Sequence, residues 1–312
     1  MRILYVCKSL KGYIKGYHGN MAPFNMERVL LLRSKGIIVD VFLIKESGIK
    51  GYLKSILKLN KRLKNKKYDI VQATYALSGM VISFQSNTPI VISYIGSDVN
   101  IKWIRIISKL FLIKRAKANI FVSEKLYKLA GSPKNGYVIP FGINVEKFYP
   151  MDQKDARIFF NMDLNKKYVL FSSRFDRKEK NADLALSAIN LLQDINIELI
   201  ELKDIPDENI NILFNACDLG LLTSIMEGSP QFIKEAMACN LPIVSTNVGD
   251  VKDVFNDTEG CFISSFNPED VAEKIKMALD FGKRTNGRNK ITNYNNHIIA
   301  SKVISIYQKI AG

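Results

Sequence analysis

Histidine is almost missing from this chain of 312 residues, which carries only His18 and His297. Acid–base chemistry built on imidazole therefore has few candidates. The four cysteines, Cys7, Cys217, Cys239 and Cys261, lack the paired spacing of a zinc site. They fall on or beside apolar segments and are expected as reduced, buried thiols, with no metal bound. No apolar run approaches the roughly 18 residues a membrane span needs. The apolar run in MRILYVCKSL is too short for a secretion signal and reads as a first strand, so a cytoplasmic protein is expected. Acidic residues are scarce in one half only. Residues 1–148 hold 26 Lys+Arg against 7 Asp+Glu, whereas residues 149–312 hold 19 against 23. Such asymmetry fits two domains, the first of which meets something anionic: a membrane surface, a phosphorylated substrate or nucleic acid.

What is present is an alternation of apolar strands with amphipathic helices, the pattern of parallel α/β layers. The first half reads as strands at Arg2–Cys7, Ile37–Ile44, Tyr68–Ala73, Pro89–Tyr94, Asn119–Val122 and Tyr137–Ile139. The loop after the first strand holds Gly12, Gly16, Gly19 and His18. Glycines there can let backbone approach a phosphate, although the spacing fits neither a dinucleotide fingerprint nor a P-loop. Gly96, Ser97 and Asp98 follow the strand ending at Tyr94, where open α/β sheets place ligands. Two segments, 49–67 and 101–118, are basic amphipathic helices. Each can lie on an anionic membrane or pack on its own sheet with a solvated basic face. They lack the interleaved aromatics of single-strand binders, and no helix-turn-helix or zinc pattern occurs, so nucleic acid is not expected as a partner. The segment 140–150, with two prolines and a glycine, reads as a linker.

The second half restarts with a strand at Tyr168–Ser172. Arg174 and Lys180 flank the next turn, a position suited to clamping phosphate, with a solvated charge run as the alternative. The richest stretch is DLGLLTSIMEGSPQFIKEAMACNLPIVSTNVGD, residues 218–250. Leu219–Thr223 reads as a buried strand, and a helix follows with Ser229 as its N-cap and Pro230 at its first position. Asn240 is the expected left-handed C-cap. The amide groups of Gln231, Phe232 and Ile233 then face outward with the helix dipole behind them, an anion site suited to phosphate. Glu227 stands before the helix and Glu235 nearly two turns inside it, so the carboxylates can hold hydroxyls at opposite ends of a ligand. A capped helix with a solvated glutamate is the plainer reading.

Several of these motifs, in order, resemble the family-4 retaining glycosyltransferases. EGSPQFIKEAMACNLPIVST resembles their Glu-x7-Glu signature, SSRFDRKEKNADLAL the segment that grips the donor diphosphate, and IPFGINVEKFYP the linker. The resemblance implies an α/β protein of GT-B architecture, with two facing Rossmann-like domains, parallel sheets and an interdomain cleft. The domains are then residues 1–148 on the acceptor side and 149–292 for the nucleotide sugar, with a terminal helix at 293–312 packing back on the first.

The implied reaction is transfer of a hexose, with retention, from a UDP- or GDP-linked donor. The acceptor would be a saccharide or lipid-linked saccharide in cell-surface polysaccharide synthesis, with the enzyme cytoplasmic or peripheral on the inner membrane face. No cofactor or metal is expected. Arg174 and Lys180 would neutralise the diphosphate, and Glu227 would contact the sugar. Gly228, Ser229, Pro230, Gln231, Phe232, Ile233 and Gly19 would line the donor site, with Glu235 on the ribose. His18, Gly96, Ser97 and Asp98 are acceptor-side candidates. Ile95 stands where the family often has histidine, and Gly16 and Gly19 are set apart where it has paired glycines. A nucleotide-sugar epimerase or phosphorylase of the same fold is the alternative.

Overall fold

The computed structural model describes residues 1–9, 21–46, 48–85, 87–192 and 196–312. His18 and Gly19 lie outside the described residues. The chain divides into two units, residues 1–140 with 297–312, and residues 141–296.

Unit 1 is built on the strands β1 (Arg2–Lys8), β2 (Ile38–Ile44), β3 (Ile70–Thr74), β4 (Ile90–Tyr94), β5 (Ala118–Phe121) and β6 (Gly136–Val138). All pair in parallel, in the order β2-β1-β3-β4-β5-β6. Central strands such as β3 and β4 are buried at every residue because helices cover both faces. One face packs against helix α1 (Pro23–Ser34) and the terminal helix Asn296–Ala311, which share a core with Ile3, Tyr5, Ile70 and Val91. Tyr307 of the terminal helix donates a hydrogen bond to Gln72 beneath the sheet.

Unit 2 carries β7 (Lys167–Phe171), β8 (Ile197–Glu201), β9 (Leu219–Leu222), β10 (Ile243–Thr246) and β11 (Cys261–Ser264). These too are parallel, in the order β11-β10-β9-β7-β8. The division between units falls at 140/141, earlier than the expected boundary at 148/149. Ile143 and Phe148 are buried in the unit 2 core, Ile143 bridges to Asn295, and Arg288 donates to the carbonyls of Val145 and Phe148. The supposed linker is thus part of the second unit.

Both sheets share one order. The second strand lies to one side of the first, and the third and later strands lie to the other. In such sheets the connections leave the first and third strands in opposite directions, and a crevice opens at their C-terminal ends. The expected ligand positions are therefore beyond β1 and β3 in unit 1, and beyond β7 and β9 in unit 2.

Candidate active site

In unit 2 the crevice is lined by the loops after β7 and β9. Lys180 ends a short 3-10 turn after β7 and is followed by Asn181 in a left-handed conformation (φ 56°). Thr223, just past β9, donates its hydroxyl to the carbonyls of Lys180 and Asn181 at 3.0 and 2.9 Å, and the amide of Ile225 donates to Glu179 O at 3.0 Å. These bonds tie the two loops edge to edge. They set the Lys180 ammonium 2.5 Å from Glu227 Oε1, which also accepts from Ser224 Oγ at 2.8 Å. Both side chains are largely shielded, 13% and 17% exposed, so the pair is stronger than a surface ion pair.

Arg174 is not part of this pair. It forms a two-pronged ion pair with Asp176 and stays half exposed. Arg177 binds Glu179, and the amide of Phe175 donates to Glu201, so the charged turn is knitted rather than merely solvated.

Beyond Glu227 the chain turns into the helix Gln231–Ala238. The cap position belongs to Pro230, in extended conformation, and not to Ser229. Ser229 was expected to cap, but its hydroxyl is drawn inward. It donates to Asp250 Oδ2 at 2.6 Å and accepts from Lys234 Nζ, also at 2.6 Å. Lys234 is wholly buried, reaches the same Asp250 oxygen at 3.2 Å, and lies over the Tyr294 ring. Burial, with Asp250 and Asp253 nearby, pushes the Tyr294 hydroxyl up to about 12. Gly249 has φ 58°, and a Cβ there would meet Gly228 O at 2.7 Å. Only glycine lets the loop after β10 press on Gly228 and Pro230 in this way.

The helix buries Phe232, Ile233, Lys234, Ala236, Met237 and Ala238, so Phe232 and Ile233 can offer a ligand only their backbone. Gln231 and Glu235, one turn apart, form its half-open face. The buried side-chain oxygen of Gln231 has no partner among the described residues. A buried amide oxygen of that kind suits a ligand hydroxyl. Asn240 has the expected left-handed conformation (φ 55°).

In unit 1 the loops after β3 and β4 were expected to offer Asp98 to a ligand, and they do not. Asp98 is fully buried. Its carboxylate accepts from the amides of Ile95 at 3.0 Å, Gly96 at 2.9 Å and Ala76 at 3.2 Å, which fastens one loop to the other. Ser97 is half-buried and donates to the Tyr75 hydroxyl at 3.3 Å. Tyr75 itself sits at φ 80°, a conformation that costs a non-glycine residue roughly 1–3 kcal/mol. Its position, at the end of β3, carried no sequence signal.

Burial pushes the Asp98 carboxyl up to about 6, against the pull of its amide donors. A carboxyl whose folded value exceeds its unfolded one destabilises the fold above that value, and the penalty fades as pH falls through about 6. The parent chain should therefore gain thermal stability relative to Asp98→Asn between pH 7 and pH 5. Melting curves of the two chains across that window check this; a flat difference would mean an ordinary carboxyl.

Comparison with known proteins supplies the context. Residues 194–297 match the family model of the group 1 glycosyl transferases. A Bacillus subtilis protein named as a teichuronic acid biosynthesis glycosyltransferase, TuaC, is 25% identical over 66% of this chain, and the match spans 60% of that protein. The N,N'-diacetylbacillosaminyl-diphospho-undecaprenol alpha-1,3-N-acetylgalactosaminyltransferase of Campylobacter jejuni is 23% identical over 89% of this chain and 88% of its own length. Among solved structures, a sucrose-phosphate synthase from Thermosynechococcus elongatus superposes with a TM-score of 0.81 at 19% identity, covering 98% of each chain.

Proposed function

Because the chain belongs to the group 1 glycosyltransferases and has their GT-B architecture, we propose that it transfers a hexose from a nucleotide-diphosphate sugar. The acceptor is a saccharide or lipid-linked saccharide of the cell envelope, reached from the cytoplasmic side by a peripherally bound enzyme. The observation that carries this reading is the Lys180–Glu227 pair at the β7/β9 crevice, beside the N-terminus of the helix Gln231–Ala238.

The chemistry follows from the placement. The diphosphate lies against the first-turn amides of Gln231, Phe232 and Ile233. Lys180 neutralises the charge that develops on the leaving diphosphate as the glycosidic bond breaks. Arg174 assists: its exposed ion pair with Asp176 is screened by solvent and exchanges readily for phosphate. Glu227 accepts a sugar hydroxyl, and Glu235 with Gln231 accepts those of the ribose. Transfer proceeds with retention. A donor phosphate oxygen takes the acceptor proton on the face the leaving group departs from, so no protein base is required. The two cations supply the positive charge a divalent ion would otherwise bring, so transfer persists in EDTA.

Thermal shift with a panel of UDP- and GDP-linked sugars tests the donor site. A cognate donor at about 100 times its dissociation constant adds roughly 2.7 kcal/mol of stability. Glu235→Ala should weaken that donor by about 10–100-fold, the loss of one or two hydrogen bonds to a charged group. An unchanged affinity would remove Glu235 from the ribose.

A further inference from the structure

The second helix of unit 1 is turned the wrong way for a helix that only packs on its sheet. Helix α2 (Gly48–Asn65) buries Gly51, Ser55 and Leu59, a narrow stripe of mostly small residues. Its large apolar side chains Ile49, Leu53 and Leu57 face outward, at 82%, 57% and 72% exposure. At helical spacing, Lys50, Lys61 and Lys64 share that outward face with them, and all three are exposed. Residues 47–67 contain no aspartate or glutamate.

The segment 101–118 repeats the arrangement. It is a helix at Lys102–Ile107, a wider turn at Ser108–Leu112 and a last turn at Ile113–Arg115, and not the one continuous helix expected. Ile104, Ser108 and Leu112 face inward, while Trp103, Ile106, Leu110 and Phe111 face out. Lys102, Lys109 and Lys114 are exposed among them, and the segment has no acidic residue.

These two segments border one surface. Strands β2 to β3, β3 to β4 and β4 to β5 are connected in the same direction across the sheet. Right-handed crossovers therefore put α2, α3 (Ala76–Ser83) and the 102–115 segment on one face, with α1 on the other. Helix α3 packs against both its neighbours, and Phe84 at its end is exposed and lies 6.1 Å from the Phe111 ring. The result is a continuous field of outward apolar side chains set among lysines.

We propose that this face docks on an anionic lipid bilayer. Leu53, Leu57, Trp103 and Leu110 enter the headgroup boundary, and the lysines meet lipid phosphates. Apolar burial and charge attraction together are what hold a protein on such a surface. The proposal deepens the peripheral placement above and does not depend on the transfer reaction, because lipid binding is read without donor or acceptor.

The chain has one tryptophan, Trp103, so its fluorescence reports this face alone. The full chain should float with phosphatidylcholine vesicles containing phosphatidylglycerol, with Trp103 emission shifted to the blue and quenched by brominated acyl chains. The triple variant Lys50→Gln, Lys61→Gln, Lys64→Gln should bind roughly 100-fold more weakly, at about five-fold per basic residue. Leu53→Ser, Leu57→Ser should lose flotation while melting as the parent does, since neither side chain is buried. The proposal is overturned by equal binding to phosphatidylcholine alone, or by flotation with Trp103 emission unmoved. It is also overturned if without lipid the chain is a dimer that the leucine variant dissolves, or if lysine-dependent binding of an oligonucleotide outcompetes the vesicles.

Discussion

Lys180→Ala should lower kcat for sugar transfer by about 10²–10³, the usual loss when one preorganised charge-stabilising group is removed. The cause is local. The Thr223 hydroxyl fixes the Lys180 backbone through its carbonyl, and Glu227 holds the ammonium, so the charge is already oriented when the donor arrives and spends little on reorganisation. The charge it meets grows as the diphosphate departs, so kcat should fall more than donor affinity. Lys180→Arg keeps the charge but not the compact geometry and should recover only part of the rate. Circular dichroism separates the effect from misfolding. A kcat within two- to three-fold of the parent, about 0.4–0.7 kcal/mol in barrier, would place the leaving-group charge elsewhere.

Lys234→Met should destabilise unit 2 by about 3–5 kcal/mol, the cost of stranding one partner of a buried ion pair. Lys234 is fully buried, and Asp250 is 5% exposed. With the ammonium gone, Asp250 keeps only the Ser229 hydroxyl on its Oδ2, and its Oδ1 already lacks a partner among the described residues. Adding Asp250→Asn should return much of the loss, because the pair's net worth in the interior is small once both charges are removed together. A denaturant melt of the single and double variants forms the cycle that measures the coupling. A single-variant loss below about 1 kcal/mol would mean that the ammonium reaches water.

These two predictions differ in how far the sequence foretold them. Lys180 and Glu227 were legible because each sits in a charged or glycine-bearing turn directly after an apolar strand, and parallel sheets gather such turns at one edge. Lys234 was not: the apolar spacing of Phe232, Ile233, Ala236 and Met237 leaves it outside their stripe, where a solvated lysine is expected. Its partner lies on a different loop, and no local rule links them. The same pairing undid the expected cap. Ser229 favours capping by local preference, but Lys234 and Asp250 claim its hydroxyl, and Pro230 takes the cap position instead.

Strand–helix alternation was readable through both units because central strands are apolar on both faces. Strand β11, at the edge of its sheet and half-buried at three of its four positions, was not read from the sequence. The orientation of α2 was hidden for another reason. Its apolar stripe looks like a packing face, yet Gly51, Ser55 and Leu59 are the buried residues and Ile49, Leu53 and Leu57 are left exposed. Asp98 shows the reverse error. A carboxylate at a strand end looks available, yet three backbone amides consume it.

Product analysis after incubation with nucleotide sugars tests the central claim most directly. With a saccharide acceptor present to take the sugar, the account predicts that the parent chain releases nucleoside diphosphate from its cognate donor, in EDTA as in buffer, and that Lys180→Ala releases it about 10²–10³ times more slowly. Conversion of the donor to an isomeric nucleotide sugar, with no diphosphate released, would contradict it.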